Sequence, residues 1–443
     1  MKKLFGIVAG VAVSAALMTG CGGNNNTAET KENTAETAAA SAENADGDLK
    51  IAIVTSPSGV DDGSFNQDNY NGILKFIESH PGATVTPVRE ETGDPAAVIQ
   101  AVADIVADYN VIVCPGFQFS GIGTIATDNP DVDFILVDTN PTDSEGNDIE
   151  CDNIYAMTFK EQEGGFFAGM AAALESESKK VAVVTGIAYP SNVNYQYGFE
   201  SGVNYANEKY DTGVEIVEIP SYAGVDVTNK NVGGNYVGSF ADEATGKVVG
   251  KALIDEGCDI LFVAAGGSGN GVFTAAKEAG NVKVVGCDVD QYDDGANGSD
   301  NIILTSVLKV MSMNVEKQLN AIADGGFQGA NALLGADSDS VGYVTEEGRQ
   351  SMSEDTVKKM DEAYELVKDG DKIAVCISGG KDSMLMAKLF QELRKHGKAN
   401  FELVFLVMNP GYNADNWKII QDNAKIVDIP LTGSESDIFN IVA

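Results

Sequence analysis

From residue 49 onward, the hydrophobic and polar positions of the chain follow two recurring patterns. Short runs of β-branched and aliphatic residues, such as "KIAIVT" and "DFILVD", alternate with longer segments such as "NQDNYNGILKFIES", whose apolar residues recur every three to four positions. The short runs predict buried strands, and the longer segments predict amphipathic helices. Because continuous apolar strands separated by helices indicate parallel sheets covered on both faces, the pattern predicts an α/β fold.

The predicted strands tend to end in small or polar residues. In open parallel sheets, ligands bind outside the carboxyl ends of the strands, so candidate functional residues are expected there. The strand-end residues of this kind are Ser56, Gly116, Asp138, Gly186, Gly266 and Asp288.

Two of these strand ends lie in the first half of the chain. In "DDGSFNQ", Ser64 or Asn66 could cap the following helix and Phe65 could pack on the core. The alternative is an exposed Phe65 ring for stacking, with Asp62 and Asn66 as polar partners. Asp138 of "FILVDTN", which follows "PGFQFSG" along the chain, could likewise cap a helix or accept hydrogen bonds from ligand hydroxyls.

Two further strand ends lie in the second half. "TGIAYPSNVNYQYGFESG" holds an aromatic cluster that could pack a helix on a sheet or turn a ring toward a cleft. The glycines of "AAGGSGNGVF" leave free N–H groups at a helix N-terminus, but the P-loop lysine and the GxGxxG spacing are missing. Because Asp288 and Asp290 would repel phosphate, the segment favours the hydroxyls of a sugar or ribose.

Composition narrows the function classes. The chain of 443 residues has 29 basic and 66 acidic side chains, a formal net charge of -37, which disfavours nucleic acid as a partner. Two histidines and six cysteines without zinc-like spacing exclude a His-rich metal site and predict free thiols, so no metal and no cofactor is expected.

The N-terminus predicts export. Lys2 and Lys3 precede a short apolar run over residues 4–17, and "LMTGC" resembles a bacterial lipobox, although Met18 stands where Leu is more usual. The resemblance implies cleavage of a signal peptide, residues 1–20, and lipidation of Cys21. Residues 21–48, including the lipidated Cys, are polar and acidic and predict a disordered tether.

Six segments in the same order resemble the Bmp/PnrA-like family of substrate-binding lipoproteins for nucleoside ABC transporters, over about residues 49–370. They are "DDGSFNQ", "GFQF…PDVDFILVD", "FKEQEGGFFAGMAA", "AAGGSGNGVFTAAKE", "VVGCDVDQ" and "ILTSVLK". The resemblance implies a type I periplasmic-binding-protein fold, with two doubly wound parallel-sheet lobes joined by a hinge and the ligand between them. The approximate split is 49–158 plus 290–306 for one lobe, and 159–289 plus 307–345 for the other.

The same resemblance implies roles for particular residues. Phe65 would stack on one face of a base, and Tyr195 would supply the second ring where the family usually has Phe, with Tyr189 or Tyr197 as substitutes. The other implied ligand contacts are Asp62 and Asn66 on the base, Asp138 and Asp288 on ribose hydroxyls, Gly266 and Gly267 beside them, and Lys309.

The implied function is a lipid-anchored receptor on the extracytoplasmic face of the cell membrane. It would capture nucleosides, with purines favoured, for import through ABC transporter permease and ATPase subunits, without enzymatic activity or nucleic-acid binding. A two-lobe receptor for another small ligand, such as a sugar, is the alternative within the same fold.

Residues 371–443 carry a nearly balanced charge, unlike the acidic body. Their start, "ISGGKDSM", resembles the PP-loop ATP pyrophosphatases of the tRNA-thiolating branch, so a partial α/β module is expected. By that resemblance ATP phosphates would lie against Ser378, Gly379, Gly380, Lys381, Asp382 and Ser383. The match stops after about three strands, so we expect a truncated, inactive module. The competing interpretation is an ATP-dependent tRNA-modifying enzyme with an N-terminal fusion.

Overall fold

A computed structural model describes residues 49–369, 371–376, 381–396, 401–409 and 414–435. The predicted signal peptide, Cys21 and the tether lie outside the described residues, as do Ser378, Gly379 and Gly380 of the predicted phosphate loop. Within the described ranges, no helix combines the length and the apolar character needed to cross a bilayer.

The first part of the chain alternates strands and helices as the sequence pattern predicts. The elements are β1 (Lys50–Thr55), α1 (Phe65–Ser79), β2 (Thr84–Arg89), α2 (Pro95–Ile105), β3 (Val111–Pro115), α3 (Gly123–Asp128), β4 (Asp133–Val137) and β5 (Ile154–Phe159).

The second part repeats the alternation. Its elements are α4 (Glu161–Glu175), β6 (Lys180–Thr185), α5 (Pro190–Tyr210), β7 (Glu215–Ile216), β8 (Gly224–Val225), β9 (Asn231–Gly233), α6 (Glu243–Asp255), β10 (Ile260–Ala264), α7 (Gly269–Ala279), β11 (Lys283–Gly286), β12 (Ala296–Asn297), β13 (Asp300–Asn301) and β14 (Ile303–Lys309). Then follow α8 (Met311–Ala323), β15 (Ala330–Leu334), β16 (Val341–Tyr343) and α9 (Glu354–Asp369).

Two six-stranded sheets form the two lobes. The first has the order β15-β5-β4-β3-β1-β2, and all its pairs are parallel. The second has the order β16-β14-β11-β10-β6-β7, and it is parallel apart from the antiparallel pair of β14 with β16. In both sheets the strand order reverses beside the first strand, so the predicted doubly wound α/β fold is confirmed.

Both faces of the sheets are covered, as the apolar runs predict. In β1, Ile51 and Ile53 pack in the cluster that holds residues of α1 and α8, whereas Ala52 and Val54 pack on the opposite face with residues of α2. The cysteines that the structure describes as free thiols are Cys114, Cys151, Cys258 and Cys287.

The predicted split of the lobes is wrong for two segments. Residues 290–306 were assigned to the first lobe, but β14 pairs with β11 in the second sheet. Residues 307–345 were assigned to the second lobe, but β15 pairs with β5 in the first sheet. The chain changes lobes later than predicted because β14 completes the second sheet before the chain returns to the first.

Three crossover segments lie side by side and form the hinge. They connect β5 with α4, β14 with α8, and β15 with β16. The Lys160 N–H donates to the Leu334 carbonyl at 2.8 Å, and the Val310 N–H donates to the Ser340 carbonyl at 2.9 Å. These bonds link the crossovers to one another, so the lobes can rotate about a common hydrogen-bonded segment.

The close packing of α4 on α5 positions one candidate binding residue. A Cβ atom at Gly165 would lie 2.3 Å from the Tyr195 carbonyl oxygen, and one at Gly169 would lie 2.0 Å from the Phe199 carbonyl oxygen. Only glycine permits this approach, so "EGGFFAG" is needed for the packing that fixes Tyr195.

Residues beyond α9 form a separate small sheet. Its elements are β17 (Asp371–Cys376), α10 (Lys381–His396), β18 (Phe401–Asn409), α11 (Ala414–Ile426) and β19 (Leu431–Glu435), with the three strands parallel in the order β17-β18-β19. Lys381, Asp382 and Ser383 of the predicted phosphate loop form the first turn of α10. This strand–helix order agrees with the predicted partial α/β module.

Candidate ligand-binding site

A cavity of about 230 Å³ lies between the two lobes, at the carboxyl ends of strands from both sheets. It is lined by all the predicted ligand residues except Gly267, namely Asp62, Phe65, Asn66, Asp138, Tyr195, Gly266, Asp288 and Lys309. Gly267 follows Gly266 and lies against the Phe240 backbone, since a Cβ atom there would be 3.1 Å from the Phe240 carbonyl oxygen.

Two aspartates occupy corresponding positions in the two lobes. Asp138 directly follows β4, and Asp288 lies just after β11, the strand at the same place in the second sheet. Their φ angles are 67° and 70°, in the left-handed region that residues with a Cβ atom rarely adopt. Such backbone strain is concentrated at functional sites, and here both carboxylates line the cavity.

Lys309, at the end of β14, lies between two carboxylates. Its side chain is 2% exposed, and its Nζ atom lies 2.6 Å from Asp138 Oδ2 and 3.2 Å from Glu161 Oε1. Burial by itself lowers the pKa of Lys309, but the carboxylates of Asp138, Glu161 and Asp288 together raise it above the ordinary value. The ammonium is therefore kept charged, and it is outnumbered by the acidic groups around it.

Asp138 has one oxygen that no protein group hydrogen-bonds. Burial raises the pKa of its carboxyl group, and the Lys309 ammonium opposes that rise. Oδ2 accepts from Lys309, whereas Oδ1 is buried without a hydrogen-bond partner, as is Oδ1 of Asn66. Because buried polar atoms are almost always hydrogen-bonded, these two acceptors at the cavity are candidates for hydrogen bonds with a ligand.

Asp62, rather than Ser64 or Asn66, caps α1. Its carboxylate accepts from the N–H groups of Ser64, Asn66 and Gln67 at 3.1, 3.1 and 3.0 Å. Burial raises the pKa of Asp62, and these backbone donors oppose the rise. The local pattern marked the helix start correctly, but its capping candidates, Ser64 and Asn66, are not the residues whose side chains accept from the free N–H groups.

The two predicted stacking rings both lie close to the Lys309 ammonium. Nζ is 5.1 Å from the centroid of the half-buried Phe65 ring and 5.8 Å from that of Tyr195. Tyr195 is only 4% exposed, and its hydroxyl donates to Asp288 Oδ1 at 3.2 Å. Of the substitutes, Tyr189 lines the cavity, whereas Tyr197 lies outside its lining and is 47% exposed.

Two further aromatic rings at the cavity were missed by the sequence analysis. Phe117 of the first lobe lies 5.2 Å from Tyr189 of the second, and Phe240 lies 6.0 Å from Tyr189, between ring centroids. Both missed rings follow a strand or loop end, in "PGFQFSG" and "GSFAD". A phenylalanine close after a strand-end glycine is a weak signal, because such rings more often pack in the core.

Glu161 was missed as well, although it lies in "FKEQEGGFF". It is the first residue of α4, beside the hinge, and it is buried. It also accepts from the Asn194 side-chain amide at 3.1 Å. Its contact with Lys309 joins two distant parts of the chain, so no local pattern could show it.

The lobes touch across the cavity mouth. Ser64 Oγ of the first lobe donates to Asp288 Oδ2 of the second at 3.0 Å, and Ser58 Oγ donates to the Phe240 carbonyl at 3.3 Å. The Gln291 side-chain amide of the second lobe donates to the Gly63 carbonyl at 3.4 Å. These contacts describe a closed arrangement, in which a small molecule would be enclosed by both lobes.

The site has no metal-binding geometry. Over the ranges that the structure describes, no group of three or more His, Cys, Asp and Glu side chains is placed to hold a metal ion. In the cavity, Asp138 accepts from Lys309, Asp288 accepts from the Ser64 and Tyr195 hydroxyls, and Asp62 accepts from backbone N–H groups at the start of α1.

Comparison with known proteins identifies the class defined by this fold and cavity. The Bmp family model, described as ABC transporter substrate-binding protein PnrA-like, matches residues 49–222 and 221–370. The chain therefore belongs to the PnrA-like family of ABC transporter substrate-binding proteins, which are solute-binding proteins rather than enzymes. The expected resemblance of residues 371–443 to PP-loop ATP pyrophosphatases is not supported by these comparisons and stays a prediction.

Individual relatives agree with this class. The chain is 28% identical to the ABC transporter nucleoside-binding protein BmpA of Lactococcus lactis, covering 65% of this chain and 78% of that protein. It is 30% identical to basic membrane protein A1 of Borrelia garinii, covering 67% and 79%. It is 28% identical to the CD4+ T-cell-stimulating antigen of Listeria monocytogenes, covering 73% and 87%.

Solved structures show the same fold. An ABC transporter solute-binding protein of Aeropyrum pernix superposes with a TM-score of 0.56 at 21% identity, covering 86% of this chain and 91% of that one. Another from Conexibacter woesei gives a TM-score of 0.51 at 19% identity, covering 72% and 96%.

Proposed function

We propose that this protein captures a nucleoside, with purines favoured, between its two lobes and delivers it to an ABC transporter for import. The observation that carries the proposal is the composition of the cavity. Aromatic rings and strand-end carboxylates line one cavity between the lobes. Two acceptors in this cavity, Asp138 Oδ1 and Asn66 Oδ1, have no hydrogen-bond partner. A nucleoside offers both an apolar π-face and hydroxyl donors.

The aromatic residues suit a base. Phe65 is on the first lobe and Tyr195 on the second, so closure would bring rings from opposite sides onto a flat ligand. Stacking on aromatic rings gives affinity with few hydrogen bonds, because every base has two π-faces. Asn66 Oδ1 would accept from an N–H group at the edge of the base.

The acidic residues suit ribose. Asp138 Oδ1 has no protein donor, and the Asp288 carboxylate lines the same cavity. Carboxylates accept hydrogen bonds from hydroxyls in short, charge-assisted contacts. Gly266, at a helix N-terminus beside them, allows a ligand to approach the backbone closely.

The charge of the cavity opposes a phosphate group. Lys309 is already shared between Asp138 and Glu161, and Asp288 adds a further negative charge. A nucleotide would place its phosphate in this field without a free cation among the cavity residues, so we propose nucleosides over nucleotides. The Lactococcus lactis relative is named as a nucleoside-binding protein, which supports the same ligand class.

The proposed setting follows from the family. A substrate-binding protein of an ABC transporter works outside the cytoplasm with permease and ATPase subunits, and we propose Cys21 as its lipid anchor to the cell membrane. We propose no catalytic step for residues 371–443.

Titration of the purified full chain tests the proposal. We expect guanosine and adenosine to bind, and AMP to bind at least about 100-fold more weakly, since like-charge juxtaposition costs several kcal/mol. Isothermal titration calorimetry with the three ligands measures this difference. Tight binding of AMP without binding of either nucleoside would contradict the proposal.

Replacing Phe65 with alanine separates a nucleoside receptor from a sugar receptor. Loss of one stacking ring is expected to weaken adenosine binding by about 1–3 kcal/mol. The matched control is Phe327→Ala, because Phe327 is also half-buried but lies outside the cavity lining. If Phe65→Ala changes the affinity no more than the control does, the base does not stack on Phe65.

A further inference from the structure

The hydroxyl of Tyr195 makes a contact that a stacking ring does not need. It donates to Oδ1 of Asp288 at 3.2 Å, while Oδ2 of the same carboxylate accepts from Ser64 Oγ at 3.0 Å. Both oxygens of Asp288 are therefore held by hydroxyl donors, one from each lobe. A phenylalanine at this position would supply the ring but not the donor.

The protein core determines the position of this hydroxyl. The Tyr195 ring packs edge-on against Phe262 at 5.6 Å between centroids. A Cβ atom at Gly164 would lie 3.1 Å from Tyr195 Cε1, and the Gly165 backbone lies against the Tyr195 carbonyl. Only 4% of the Tyr195 surface is exposed, so the core packing holds the side chain without a bound ligand.

The two hydroxyl donors to Asp288 differ in how they respond to opening of the lobes, and the neighbouring Cys287 thiol adds a longer contact of 3.5 Å to Oδ1. Ser64 belongs to the first lobe, so its bond to Asp288 breaks when the lobes separate. Tyr195 belongs to α5 of the second lobe, the lobe that carries Asp288, so its bond survives. Burial raises the pKa of Tyr195 well above its usual range, and the hydroxyl therefore remains a donor.

We infer that Tyr195 is a positioning residue, whose hydroxyl keeps the Asp288 carboxylate oriented toward the cavity so that it accepts from the hydroxyls of an incoming sugar. This inference rests on the proposed function. It explains how the second lobe would select a ligand that carries hydroxyls, namely through an Asp288 carboxylate held in one orientation. Removal of the Tyr195 hydroxyl should therefore lower the affinity only for ligands whose hydroxyls donate to Asp288.

The test compares two ligands on Tyr195→Phe and on the unchanged full chain. For adenosine, the variant is expected to bind about tenfold more weakly, since hydrogen bonds to charged groups contribute at this level. For 2′,3′-dideoxyadenosine, which lacks the hydroxyls, the change is expected to stay below about twofold because no contact is lost. Calorimetric titration of each protein with each ligand gives the four affinities.

Tyr343→Phe is the matched control. Tyr343 is also a buried tyrosine of the second lobe, and its hydroxyl donates to Asp361 at 2.7 Å, away from the cavity. It should leave both affinities unchanged, and thermal melting of both variants reports their folding.

The inference is overturned if Tyr195→Phe weakens the binding of both ligands equally, which would mean that the hydroxyl does not act through the ribose hydroxyls, or if it leaves adenosine binding unchanged. In either case adenosine binding by the unchanged chain still supports the proposed function. If the unchanged chain binds neither adenosine nor guanosine, the proposed function and the inference both fail.

Discussion

Replacing Lys309 with methionine is expected to lower the free energy of unfolding by about 3–5 kcal/mol, the usual cost of removing one partner from a buried ion pair. Methionine keeps most of the volume of the side chain but removes the ammonium that lies 2.6 Å from Asp138 and 3.2 Å from Glu161. Two carboxylates are then buried without a counter-ion, and equilibrium urea unfolding measures the loss.

The destabilisation of Lys309→Met should depend on pH. Burial raises the pKa of Asp138 even beside Lys309, which opposes the rise, so removal of the ammonium is expected to raise the pKa further. An acid whose folded pKa exceeds its unfolded value binds its proton more readily in the folded state, so the folded state regains stability as pH falls through the folded pKa. The loss of unfolding free energy in Lys309→Met, relative to the unchanged chain, should therefore be larger at pH 8 than at pH 5.

Lys251→Met is the control for this prediction. Lys251 pairs with Asp255 on the surface of α6, where both side chains are more than half exposed, and such pairs contribute little. The Lys251→Met substitution should leave the midpoint of urea unfolding unchanged at both pH values. An equal deficit for Lys309→Met at pH 5 and pH 8 would mean that uncompensated carboxylates are not its cause.

Replacing Asp138 with asparagine is expected to weaken adenosine binding by about 2–4 kcal/mol, or about 30- to 1000-fold. Asparagine tolerates the left-handed backbone that Asp138 adopts, so the strand end is preserved. The change removes the charge that pairs with Lys309 and turns one acceptor into a donor. Calorimetric titration of the variant measures the loss.

Asp133→Asn is the matched control for Asp138→Asn. Asp133 lies at the other end of the same strand, β4, and outside the cavity lining. The affinity of the Asp133→Asn variant for adenosine should equal that of the unchanged chain. If Asp138→Asn binds adenosine as well as this control does, Asp138 does not accept from the ligand.

The strand ends show how much of the candidate site could be predicted from the sequence. Asp138 and Asp288 each follow an apolar run, and parallel strands bring such ends to one edge of a sheet. Local pattern therefore predicted both carboxylates at the edge where ligands bind and offered Phe65 as one alternative for stacking, whereas the family resemblance added the roles of Tyr195 and Lys309. The roles of individual residues were harder to predict. Asp62, expected to contact the base, caps α1 through its carboxylate.

The lobe boundaries show where local pattern misleads. The apolar run of β14 predicts a strand but not the sheet to which the strand belongs, because that depends on which neighbour supplies its hydrogen bonds. β14 pairs with β11, and β15 pairs with β5 much earlier in the chain. Strand pairing over such separations is decided by packing of the complete lobes.

The sequence by itself determined the α/β fold, the alternation of elements and the strand ends that carry the site, because these follow from the period of apolar positions and from the residues that end each run. Only the tertiary structure decided which side chains meet. Lys309 and Asp138 are 171 residues apart and Ser64 and Asp288 are 224 apart, yet each pair is in contact. Contacts of this kind depend on the closure of two lobes around one cavity, and no local periodicity encodes them.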